Sequence, residues 1–266
     1  MSLLETTING RKRRSNHATV VAGLGRGIVS GTFPEGSLLP GDTELSARFG
    51  VSRTVLREAM KTLSAKRLVE AKAKVGTRVL DSSSWNFFDA DVLSWRFETS
   101  LDYEFIEHLA EMRTALEPAA AAAAALRATS DDIVSLYAIA AKFDNLNHTP
   151  ESIANVDLEF HLAIARMSGN PFMRSASALI EAALAISFQL SSPAASPEMI
   201  DEVASNHLRI AHAIASRDPQ KAMSAMRHVI DVGKIRIRTS LDAAENVPGN
   251  KTAELRFPDS TRVPTS

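Results

Sequence analysis

The chain has 266 residues, of which 45% are hydrophobic and 23% charged. That composition supplies two modest cores and excludes a chain disordered throughout. Its net charge of −1 is uneven: residues 1–80 hold 14 Lys+Arg against 6 Asp+Glu, and residues 81–266 hold 16 against 25. A basic first part joined to an acidic remainder implies that only the first part meets a polyanion. The absence of cysteine excludes disulfides and thiolate metal sites and fits a cytoplasmic protein. No apolar run reads as a membrane span, and no apolar stretch follows Arg11-Lys12-Arg13-Arg14 in signal-peptide register.

Residues 1–17 read as a basic disordered arm, and residues 18–80 as a small DNA-binding domain. Val21, Leu24 and Ile28 share one helical face, and Gly31 marks its stop. Pro34, Gly36, Pro40 and Gly41 mark a loop. Asp42 is placed to cap a short helix through Phe49, with Leu45 and Phe49 turned inward. Gly50 supplies a left-handed turn. Ser52 caps the next helix, whose expected buried set is Val55, Ala59, Met60 and Leu63. Two short helices about a tight glycine turn make a helix-turn-helix. Leu68 to Ala73 and Thr77 to Leu80 read as strands around Lys74-Val75-Gly76, a hairpin wing. Ser52, Arg53, Thr54 and Arg57 stand at the start and on the polar face of the second helix, the end such proteins present to base edges and phosphates. A merely solvated polar face is the other reading of those four residues.

The motifs Leu39-Pro40-Gly41-Asp42-Thr43-Glu44-Leu45-Ser46, Phe49-Gly50-Val51-Ser52-Arg53-Thr54-Val55-Leu56-Arg57-Glu58-Ala59 and Gly76-Thr77 resemble the GntR-family DNA-binding domain over about residues 20–80. The resemblance implies that Arg53 and Arg57 contact DNA and that Gly76 lets the wing approach the minor groove, with Ser52, Thr54 and Thr77 beside them. Thr43 departs from the Arg of some relatives, which implies an altered operator preference.

Residues 81–100 read as an aromatic linker holding both tryptophans, Trp85 and Trp95, expected to dock the two domains on each other. This stretch and Ala65-Lys66-Arg67-Leu68 resemble the galactonate operon repressor branch of the family. Residues 101–241 read as helices, broken near Thr129-Ser130-Asp131, His148-Thr149-Pro150, Gly169-Asn170-Pro171, Ser192-Pro193 and Asp218-Pro219. The alanine run Ala119 to Ala125 forms helix readily and permits close helix contact. Residues 242–266 turn polar and read as a disordered tail.

Asp157 and His161, four residues apart, share one helical face, and His207 and His228 lie on later helices. One carboxylate and three imidazoles suit a divalent Zn, Ni or Mn ion, although by spacing alone an Asp-x-x-x-His is more often a plain helix-surface pair. Glu111-Met112-Arg113, Leu116-Glu117-Pro118, Asp157-Leu158-Glu159-Phe160-His161 and Gly169-Asn170-Pro171 resemble the all-helical FCD domain of the FadR subfamily over about residues 100–238. By that resemblance Asp157, His161, His207 and His228 ligate a metal in an effector cavity. Asn206 stands where relatives carry Glu, an effector contact in this reading. Arg113, amid apolar residues, reads as a clamp on an effector carboxylate or as a partner of Glu117.

The fold expected is therefore mainly α: a winged helix-turn-helix followed by a helical FCD-type bundle. The function expected is a cytoplasmic homodimeric repressor on palindromic operator DNA, not an enzyme and not at a membrane. A carboxylate effector, in particular a sugar acid, modulates its affinity through the metal site. The rival is a helical metal-dependent enzyme fused to a DNA-binding module, and no nucleophile motif or phosphate loop supports it.

Overall fold

The computed structural model describes residues 15–99 and 103–245, which fall in two compact units. Most of the basic arm and the polar tail lie outside the described residues.

The first unit opens with α1, Asn16–Val29, capped by the Ser15 hydroxyl. Asn16 and His17, assigned above to the arm, are already helical. Val21, Leu24 and Ile28 are buried along α1, as its period predicts. Helix α2, Asp42–Phe49, has Gly41 at its cap position and no side-chain cap, so the expected Asp42 cap is replaced by Asp42 inside the first turn, where its charge favours the helix N-terminus. Gly50 turns the chain at φ 63°. Helix α3 follows, Arg53–Ala65, with Ser52 accepting from the Val55 amide. Its buried residues are Leu56, Ala59 and Leu63, while Val55 and Met60 are half-buried. The inward face is rotated toward Leu56 because α1 packs along that side. Strands β1, Val69–Lys72, and β2, Gly76–Val79, pair antiparallel with Val69 opposite Val79 and Lys72 opposite Gly76. Lys74 at φ 64° and Gly76 at φ 120° make the tight connection.

The aromatic stretch is not a bare linker. It contains helix α4, Ala90–Thr99, and Trp85, Phe87 and Trp95 belong to the first unit's own core. Trp95 is buried there, with Trp85 and Phe87 packed against it. A Cβ on Gly25 would collide with the Trp95 ring, so α1 needs glycine at that contact. Lys66 pairs with Asp89 at 2.7 Å and Asp91 at 2.8 Å and lies over the Trp95 ring. The burial of Trp95 and the packing of Trp85 and Phe87 are thus part of the first unit's own fold.

The second unit is all helical among its described residues: α5 Tyr103–Arg127, α6 Ser130–Ala140, α7 Pro150–Met167, α8 Pro171–Ser175, α9 Ser177–Leu190, α10 Pro197–Ala215 and α11 Pro219–Glu245. The predicted breaks are capped starts. Thr129 and Thr149 close capping boxes, and Asn170 caps α8. Helix α11 runs past residue 241, where the tail was expected to begin. The alanine run packs α5 tightly: Ala120, Ala121, Ala124 and Ala125 are in the core with Phe143, Phe160 and Ile164. Contrary to the sequence reading, Ser177–Ala195 is long and apolar enough by composition to cross a bilayer, at mean hydropathy 1.3. Its Ile180, Leu184 and Phe188 are spent in the bundle core.

Candidate metal and effector site, and the DNA-reading helix

Four helices of the second unit bring polar side chains to one buried point. Helix α7 supplies Asp157 and His161, α10 supplies Asn206 and His207, α5 supplies Arg113 and Glu117, and α11 supplies Arg236. Asp157, His161 and His207 are each buried, with ligand-capable atoms within 4.8 Å of one another. The His207 Nδ1–H donates to the Val203 carbonyl at 2.8 Å, which in the neutral ring leaves the Nε2 lone pair free. That Nε2 lies 2.9 Å from Asp157 Oδ1 without the alignment of a hydrogen bond. His161 donates from Nδ1 to Glu117. Its Nε2 is buried without a hydrogen-bond partner, 3.7 Å from the other oxygen of Asp157. Two imidazole lone pairs thus converge on one carboxylate. Such an arrangement repels itself unless a proton or a cation stands within it.

Glu117 fixes that geometry. It accepts from Arg113 Nε at 2.6 Å and holds the His161 ring by its far nitrogen, the bond that orients a metal-ligating histidine. Burial acts to raise the Glu117 carboxyl, but the Arg113 charge and the hydrogen bonds from His161 and Arg113 outweigh it and hold the group at about 2. Asp157 is likewise held at about 2: burial opposes, and His161, His207 and Arg113 prevail. Neither Glu117 as a histidine orienter nor Arg236 was found from sequence. The spacing Arg113-x-x-x-Glu117 was visible, but the reach of Glu117 to His161 on another helix was not.

His228 does not join the set. It is exposed on α11, and the group that could hold an ion contains only the other three residues. Val229, Val232, Gly233 and Arg236 are the α11 residues that line the site. At 3.6 residues per turn, His228 lies roughly a quarter turn off that face. The four-ligand expectation is corrected to three among the described residues. The clamp role of Arg113 is also changed, because its Nε is committed to Glu117. Arg236 donates from Nε to the Ser191 carbonyl at 2.9 Å and stacks near Phe188. It has no ion pair among the described residues, and burial lowers its pKa. Asn206 is buried and accepts from Arg209 at 3.1 Å.

In the first unit the predicted DNA-reading residues are arranged differently. Thr43, Ser52, Arg53, Thr54, Arg57 and Gly76 are exposed, and Thr77 is half-buried. Arg53 donates to the Thr43 hydroxyl at 3.4 Å, so α2 and the start of α3 present one polar surface. The Ser52 hydroxyl is engaged as a helix cap.

Residues 16–79 match the bacterial regulatory proteins of the gntR family, and residues 108–232 match the FCD domain. The chain is 39% identical over 158 residues to the uncharacterized HTH-type transcriptional regulator YieP of Escherichia coli, spanning 59% of this chain and 69% of that one. It is 36% identical over 161 residues to the galactonate operon transcriptional repressor of the same organism, spanning 60% and 70%. This chain belongs to the GntR family and carries an FCD domain. Among solved structures, the fold is similar to that of Lar, described as controlling the Listeria monocytogenes agr system, with TM-score 0.58, 19% identity and coverage of 86% and 99%. It is also similar to E. coli McbR/YncC, with TM-score 0.51, 18% identity and coverage of 86% and 100%. The domains and relatives of this GntR-family chain are those of transcription regulators, not enzymes. The alternative of a metal hydrolase fused to a DNA-binding module is set aside on that ground.

Proposed function

We propose that this GntR-family regulator is a cytoplasmic homodimeric repressor whose FCD domain holds a divalent cation on Asp157, His161 and His207 and binds a carboxylate effector beside it. The observation that carries the reading is the pair of buried Nε2 atoms converging on Asp157. Zn, Ni or Mn suits one carboxylate and two imidazoles. When bound, the ion supplies an open position for an anionic group. Arg236 is the cation available to an effector carboxylate, and Asn206 faces the same chamber. The similar proteins include one named for a galactonate operon and others for fatty acid metabolism; those names share an acid and differ in its tail. Arg53 and Arg57 read the operator, supported by Thr43, Thr54, Gly76 and Thr77. One reading helix per chain covers few base pairs, which supports a two-fold pair of chains.

Regulation then follows from linkage: an effector that favours one state of the protein changes DNA affinity by the ratio of its affinities for the two states. The test is a gel-shift titration with carboxylic acids, paired with elemental analysis of wild type and His161→Ala. The reading expects bound metal and an acid response in wild type, and neither in His161→Ala, with operator binding retained in both. A metal-free protein responding with wild-type affinity overturns the metal's part.

A further inference from the structure

The polar chamber beside Asp157 has a volume of about 30 Å³. That is room for a water or a carboxylate-sized group and little more. A larger cavity of about 220 Å³ adjoins it, walled mainly by the buried Ile106, Leu109, Ile186, Ile230 and Ile237, with the exposed Tyr103, Glu107, Lys234 and Arg238 also on its lining. Arg113, Ser187 and Gly233 line both spaces. Gly233 lies well inside α11, where glycine is less favourable than alanine. Neither a positive φ nor a close neighbour demands it: a Cβ built there meets no heavy atom within 4 Å. The space left by its missing side chain is the junction of the two cavities.

We propose that the two cavities are one site for a carboxylate with an aliphatic or aromatic tail, and that Gly233 keeps the passage between them open. This rests on the carboxylate reading above and departs from the sugar acid expected from sequence. The head group fills the small chamber, with Arg236 as its cation. The remaining atoms must enter the larger one. Tyr103, Glu107, Lys234 and Arg238 offer partners on part of the lining, but a polyhydroxylated chain lying along the isoleucine and leucine wall would leave hydroxyls unpaired there, which is costly. An apolar tail gains free energy in proportion to the area it buries. An apolar cavity of about 150 Å³ admits benzene, so this larger one accommodates a phenyl ring or an alkyl chain of similar bulk.

The test is calorimetric titration of the full-length, metal-containing protein with octanoate, phenylpropanoate, galactonate and acetate. Wild type is compared with Gly233→Ala and Gly233→Leu, and Ala183→Leu narrows the large cavity from α9 should Gly233→Leu not fold. Octanoate and phenylpropanoate should bind wild type at least about tenfold more tightly than galactonate, since each buried methylene adds to affinity. Gly233→Leu or Ala183→Leu should remove most of that advantage, and Ala183→Leu, which touches only the larger cavity, should leave acetate binding unchanged. Gly233→Ala should raise the melting temperature of the ligand-free protein. Tighter binding of galactonate than of octanoate, or octanoate affinity unaltered in the blocked variants, overturns the inference and leaves the carboxylate reading standing. Failure of all four acids, acetate included, to bind wild type overturns the carboxylate reading itself.

Discussion

The two units of this regulator use charge in opposite ways. In the first, the arginines proposed to read DNA are exposed: Arg53 and Arg57 stand in solvent, and Arg53 reaches the Thr43 hydroxyl. In the second, Arg113, Glu117, Asp157, His161 and His207 are buried together. An exposed charge is cheap to fold and free to meet a partner. A buried charge must be matched inside the protein, so each group is committed to another before any ligand arrives. Losing a DNA contact should therefore cost binding without stability, and losing a site residue should cost stability as well.

The largest expected effect is that of Glu117→Gln. It leaves Arg113 without its buried counter-charge, which should destabilise the second unit by about 3–5 kcal/mol. Far-UV circular dichroism should register the lowered transition. Trp85 and Trp95 both lie in the first unit, so tryptophan fluorescence should show an unchanged one. A parallel loss in fluorescence would break the contrast between the units.

Acid sharpens the same point. Glu117 and Asp157 sit at about 2, against ordinary values of 4.5 and 3.8. Groups depressed on folding contribute stability that is complete above the ordinary values and disappears as pH falls toward 2. An acid titration should show the circular dichroism transition steepening below pH 4.5 in wild type, and a shallower dependence in Glu117→Gln.

Arg57→Ala should weaken operator binding by about 1–3 kcal/mol if the side chain reaches a base edge. Its melting temperature should match wild type, and an electrophoretic shift at fixed salt measures the first part. Ser52→Ala removes the hydroxyl that caps α3 and should cost about 1 kcal/mol of stability, unlike its exposed neighbours. The smallest effect belongs to His228→Ala. An exposed residue off the site should change stability by less than about 0.5 kcal/mol and leave the metal content unaltered by elemental analysis. A loss of metal in that variant would return His228 to the ligand set.

How far sequence reading went differs between the two regions for the same reason. The reading helix is built from local signals: Gly50 at positive φ, the Ser52 cap and the exposed arginines lie within a few residues of one another. Local periodicity misplaced only its inward face, from Val55 to Leu56, because α1 decides which side is covered. In the helical unit, the four-residue spacing of Asp157 and His161 was enough to place both on one face. His207 joined them as the family resemblance implied. His228 did not, because one residue of helical phase on α11 separates a ligand from a surface histidine.

The sequence by itself determined the division into a basic and an acidic part, the winged helix-turn-helix, the helix breaks and the family. All of these depend on neighbours in the chain. Only the tertiary structure decided that Trp95 belongs to the first unit's core, that Glu117 pairs with Arg113 and His161, that Arg236 forms no ion pair among the described residues and that Gly233 lines two cavities. Those facts depend on which faces of distant helices meet, and helix packing, unlike capping, has no short-range signature.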